Sequence, residues 1–220
     1  MEDYCCVYCQ EKDKSFSKLI SESCPEHPNG KNKGNHFAKQ SPHFNQGSLI
    51  NTNITLVFSC PGQWEKIMKK PVSGQTGTNL DFVLKCLFNR KKIISEEFIS
   101  RYDYRITNAS HRVHYQKETK DTEDKDKEFL YSDKNLFRLC QETKGTEFII
   151  CFGKVAQDIV KRMKDKYNIK VKLINVRHLS FQSINHIKYT DTKMDNTLSH
   201  TQNRLFKVAE DIIRQSKISI

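Results

Sequence analysis

Two stretches of the chain carry residue types that do chemistry at usable spacing. The first is near the N-terminus. Cys6 and Cys9 share one tight turn, and after fourteen residues Cys24 and His27 repeat the same two-residue gap. Two soft donors per turn, twice, is close to a tetrahedral zinc spacing. Cys5 can stand in for Cys6, and His36 and His43 are more distant spares. The plainer reading is a set of unconnected reduced thiols. A redox pair is the weaker reading, because Cys6-Val7-Tyr8-Cys9 does not follow a strand in a βαβ pattern. The second stretch is Ile54 to Leu84. An apolar run, Ile54-Thr55-Leu56-Val57-Phe58, stops at Ser59-Cys60-Pro61-Gly62, where Pro and Gly force a turn. A glycine-bearing loop, Pro71 to Gly77, follows, and then apolar residues at helical spacing: Leu80, Val83, Leu84 and Leu87. Strand, loop, helix places a ligand crevice at the carboxyl end of the strand.

The elements that must position these residues alternate along the chain. Strands are expected at Tyr104–Thr107, Glu147–Phe152 and Val171–Val176. Helices are expected at Asn135–Glu142, at Lys154–Tyr167 and at Gln202–Ser216, the last burying Leu205, Val208, Ala209, Ile212 and Ile213. Glu96–Arg101 reads as a helical turn. Alternation of this kind implies an α/β fold with a mostly parallel sheet covered on both faces. The expected organisation is a zinc module over 1–30, a basic linker over 31–53 and an α/β domain over 54–220. Residues 116–128, QKETKDTEDKDKE, hold no apolar residue and read as a solvated insertion. Lys and Arg number 37 against 26 Asp and Glu, a formal charge of +11, which favours a polyanionic partner. No apolar run approaches the ~20 residues that span a bilayer. The acidic, polar start is unlike a signal peptide, so a cytoplasmic protein with reduced cysteines is expected.

Four stretches, in order, resemble the uracil-DNA glycosylase superfamily. Phe58-Ser59-Cys60-Pro61-Gly62, Pro71-Val72-Ser73-Gly74 and Asn79-Leu80-Asp81 resemble its first motif, G-E-A-P-G, then P-F-V-G, then a helix with L-L-D. Arg105-Ile106-Thr107-Asn108 resembles the strand whose terminal Asn reads the base. Phe148 to Ala156 resembles the strand–Gly–Lys–helix segment. Val176-Arg177-His178-Leu179-Ser180-Phe181 resembles the H-P-S-P motif. The resemblance covers roughly residues 54 to 215. It implies a three-layer α/β/α sandwich around a four-stranded parallel sheet, with a DNA groove across the strand ends. It also implies a monomer that binds DNA.

Such enzymes act on a base flipped out of the helix. The resemblance gives Asn108 the task of reading the base, for which its amide offers both a donor and an acceptor. It gives His178 the leaving base, whose carbonyl oxygen gains negative charge as the glycosidic bond breaks. Pro61, Gly62, Gln63, Val72 and Ser180 line the expected base site. Phe181 is the expected wedge in the base stack, with Gln182 beside it. Lys69, Lys70, Arg177 and Lys188 are expected phosphate contacts. His111, His114 and His186 match no motif and read as surface histidines.

The chain departs from the family pattern in three ways. Ser59 and Cys60 stand where the family places a carboxylate or carboxamide to position water, leaving Glu65 and Asp81 as substitutes. Val72 stands where an aromatic ring stacks on the base, a loss of ~1–3 kcal/mol of stacking that also widens the pocket. Some branches hold an iron–sulfur cluster, but Ser110-His111-Arg112 replaces one of its cysteines, and no cysteine falls between Cys86 and Cys140; no such cluster is expected. The resulting expectation is a monofunctional DNA glycosylase. It excises a modified or deaminated pyrimidine, such as the hypermodified, glucosylated cytosines of phage DNA that antiviral members attack. The alternative is a non-catalytic binder of damaged or modified DNA, or of RNA, on the same scaffold.

Overall fold

The computed structural model describes residues 41–47, 53–91, 94, 99–119, 123–188 and 197–216. Its centre is a sheet of four strands: β1 (Ile54–Phe58), β2 (Arg105–Asn108), β3 (Phe148–Phe152) and β4 (Lys172–Val176). All pairings are parallel, and the order across the sheet is β2-β1-β3-β4. Central strands of such a sheet are covered on both faces, which is why ITLVF and FIICF are continuous apolar runs rather than alternating ones. The register sets Asn108 beside Phe58 and Phe152 beside Val176, so the strands end along one rim.

Helices cover both faces. After β1 come α1 (Gln63–Met68) and α2 (Gln75–Lys91). Between β2 and β3 lie α3 (Gln116–Thr119), α4 (Lys127–Leu130) and α5 (Asp133–Glu142). Then come α6 (Lys154–Tyr167), α7 (Phe181–Asn185) and α8 (His200–Ser216). Successive side chains of a strand point to opposite faces. Leu56, Phe58, Ile150 and Phe152 therefore pack with Leu80 and Leu84 of α2 and Val208 and Ile212 of α8. Val57, Ile149 and Cys151 pack with Leu136 and Leu139 of α5 and Ile159 and Val160 of α6. Each such side chain, fully buried, contributes about 1.5–3 kcal/mol.

Three features differ from the sequence reading. Gly77 looks like loop but lies inside α2; the position takes glycine because a Cβ there would stand 1.8 Å from the Val72 carbonyl oxygen. The insertion over 116–128 is not simply solvated. It holds two short helical turns, and Asp124 is only 2 % exposed, accepting a 2.6 Å hydrogen bond from Ser110 Oγ. Within the stretch read as linker, residues 41–47 run along the outer edge of β2. There Asn45 and Ile106 exchange two backbone hydrogen bonds of 2.8 Å. The expected zinc ligands Cys6, Cys9, Cys24 and His27 lie outside the described residues. Among the described residues, no helix is long and apolar enough to cross a membrane.

Candidate active site

In this strand order the chain leaves β1 towards β2 on one side and leaves β3 towards β4 on the other, so the connections diverge between β1 and β3. Such a switch point opens a crevice at the carboxyl ends of the strands. The loops after β1, β2, β3 and β4 meet there, and they carry most of the residues singled out from sequence.

His178 follows β4. Its ring stands edge-on to Phe58 at 6.0 Å, and Phe58 in turn stacks on Phe152 at 4.5 Å. Gly153 makes room: its φ is +92°, and a Cβ there would stand 3.1 Å from His178 Cβ. The backbone N–H of Ser180 donates to His178 Nδ1 at 3.0 Å. That leaves Nδ1 without a proton and places the neutral ring's proton on Nε2. Burial lowers the imidazole pKa to about 4, so the ring is neutral at pH 7. His178 is thus a fixed, uncharged N–H donor.

Asn108 ends β2 and is buried. Its side-chain amide donates to the His43 carbonyl at 3.2 Å. Beneath it lies a polar network. Arg138 Nη2 donates to the carbonyls of Asn108 (2.9 Å) and Ala109 (3.1 Å), and Nη1 pairs with Glu142. Thr107 Oγ1 and His43 Nε2 also donate to Glu142. Burial alone would raise the Glu142 pKa, but the Arg138 charge, with His43 and Thr107, brings it down to about 2. His111, expected on the surface, is partly buried against the Phe129 ring, and burial lowers its pKa to about 4. His114, likewise expected on the surface, lies 3.4 Å from Asp124; His186 is exposed.

The loop after β1 is tied down at every turn. Ser59 is buried, and the Pro61 carbonyl accepts from His114 N at 2.8 Å. Burial, with the carboxylates of Glu123, Asp124 and Glu65, pushes the Cys60 thiol up to about 12 against a backbone hydrogen bond from Asp124, so Cys60 is no nucleophile. Glu65 accepts the backbone N–H of Gly62 (2.9 Å) and of Ser73 (2.8 Å), which clamps the two loops together. Asp81 pairs with Arg101 at 2.8 Å. Val72 is buried in the core cluster with φ +46°, a strained backbone for a β-branched residue.

One carboxylate absent from the sequence reading reaches this loop. Exposed Glu123 accepts from Ser59 Oγ at 3.4 Å. Its neighbour Asp124 anchors the segment through Ser110 and His114. Nothing in a run of alternating charges marks which one turns inwards.

At the periphery, Ser180 caps α7, its Oγ accepting from Ser183 N. Phe181 is 61 % exposed, and Gln63, Gln182, Lys69, Lys70, Arg177 and Lys188 are all exposed on the same loops. Among the described residues, no three His, Cys, Asp or Glu side chains gather as a metal site. Comparison with protein-family models finds no match to this chain, and neither does comparison with curated proteins.

Proposed function

We propose that the protein is a monofunctional DNA glycosylase that excises a modified or deaminated pyrimidine and leaves an abasic site. The observation that carries this reading is His178: a neutral, half-buried N–H donor on the rim that also ends in Asn108. A flipped base enters the switch-point crevice. His178 Nε2–H hydrogen-bonds its carbonyl oxygen, where charge develops as the C1′–N bond breaks and its electron pair leaves with the base. Glu123 takes a proton from the water whose oxygen bonds to C1′. Glu65 and Asp81 are already engaged with backbone N–H groups and with Arg101, which leaves this role to Glu123. We extend the proposal to one structural zinc on Cys6, Cys9, Cys24 and His27, checked by elemental analysis.

A second reading, a non-catalytic binder of modified nucleic acid, is favoured by Asn108, whose amide N–H already serves His43. The deciding experiment is abasic-site formation, read as alkali-labile breaks, on duplexes and single strands carrying a panel of modified pyrimidines. Excision that falls about a hundredfold or more in Glu123→Gln supports the mechanism. Tight, salt-dependent binding with no cleavage of any base favours the second reading.

A further inference from the structure

Helix α1 buries none of its residues. A short helix ordinarily keeps its place by burying an apolar face. This one turns Trp64, Ile67 and Met68 outwards, 59, 58 and 55 % exposed. Its anchor is polar instead: the Glu65 carboxylate, gripping the backbone of Gly62 and Ser73. Gly74 lies against the Trp64 ring, where a Cβ would stand 3.1 Å from Cδ1. A helix held by its acid and displaying its apolar groups is built for contact. Lys66, Lys69 and Lys70 alternate with those groups along the chain and are exposed. Flat apolar surface interleaved with cations matches nucleobase faces flanked by phosphates. An apolar protein surface would offer no complement to the charges of Lys69 and Lys70. The helix also starts at Gly62, on the lip of the crevice. Phe181 stands on the other side, since it follows β4 and β3 lies between β4 and β1.

We propose that α1 is a base-stacking platform. Trp64, with Ile67 and Met68, lies against bases next to the one drawn into the crevice, and the three lysines hold the adjoining phosphates. This rests on the DNA reading above for the identity of the polymer, and it does not depend on catalysis.

Trp64 is the only tryptophan in the sequence, so intrinsic tryptophan fluorescence reports this helix alone. The full chain is titrated with a short single-stranded DNA and, separately, with heparin, a polyanion without bases. The DNA strand should quench Trp64 and shield it from acrylamide, while heparin should not. Trp64→Ala should weaken binding of the strand about ten- to a hundredfold, with Trp64→Phe retaining most of it. The inference is overturned if Trp64 stays open to acrylamide in the DNA complex, or if heparin shields it equally. Shielding by raised protein concentration alone would mean that a second copy covers the helix, and would also overturn it. Excision without any change at Trp64 removes the platform and leaves the glycosylase reading standing. Shielding by DNA without excision of any base does the reverse.

Discussion

Asn108 and His178 end two strands of one rim, yet they are held in opposite ways. Asn108 sits on a polar network in which Arg138, Glu142, Thr107 and His43 all take part. His178 sits against Phe58 and Gly153 with one hydrogen bond from the Ser180 backbone. The network fixes position: Arg138 grips two successive carbonyls with its planar guanidinium. The dry wall fixes proton state: desolvation removes the charged imidazole. Asn108 is placed by charge, and His178 by its exclusion.

The largest expected effect breaks the polar side. Arg138→Ala leaves Glu142 buried without its partner and should destabilise the fold by about 3–5 kcal/mol, measured by denaturant unfolding. Replacing both with apolar residues, Arg138→Met with Glu142→Leu, should recover most of that stability and still misplace Asn108. Next is the dry side. His178→Ala should slow single-turnover excision by about a hundred- to a thousandfold, the worth of one aimed donor at about 2.7–4 kcal/mol. DNA affinity should change little, since it comes mainly from phosphate contacts. Equal loss of affinity would show that His178 holds DNA rather than serving the reaction. Gly153→Ala forces a side chain into a positive φ and towards His178, and should cost about 1–2 kcal/mol of stability.

The smallest expected effect is none. His178 should show no titration by NMR from pH 8 to about pH 5 and should take up its proton near 4. Because its folded pKa lies below the ordinary imidazole value of 6.5, it contributes stability above 6.5 that is lost as pH falls towards about 4. Glu142 behaves alike at lower pH: its contribution is whole above 4.5 and lost as pH falls towards about 2. His111, whose ring stands 5.8 Å from His43, is also held near 4, so both sides lose a histidine contribution over the same range and the Glu142 contribution is lost last. A His178 ring titrating near 6.5 would show that its surroundings are not dry.

The two sides were also unequally visible in the sequence. β1 and β3 follow from continuous apolar runs, and His178 from the resemblance carried by Val176 to Phe181. The polar side hides. Arg138 and Glu142 stand four apart on an amphipathic helix, a spacing ordinary for an exposed pair; the carbonyls of Asn108 and Ala109, with Thr107 and His43, are what accommodate them inside. His43 lies in a stretch with no periodicity, and Glu123 and Asp124 lie in a run of mixed charge. Spacing records repeated contacts within one element. It holds no record of a single side chain turned inwards by a distant partner.

The segment at 41–47 has a consequence for solubility. β2 is an edge strand, and an open edge offers its backbone to any passing strand of another chain. Asn45 occupies that edge at Ile106 with both backbone hydrogen bonds, and its side chain bonds the carbonyls of Tyr102 and Tyr104 just before it. Residues 41–47 therefore guard against self-association as well as supporting the site. A chain shortened to begin at residue 48 should keep its core helices and strands by circular dichroism, yet form aggregates that grow with protein concentration in light scattering.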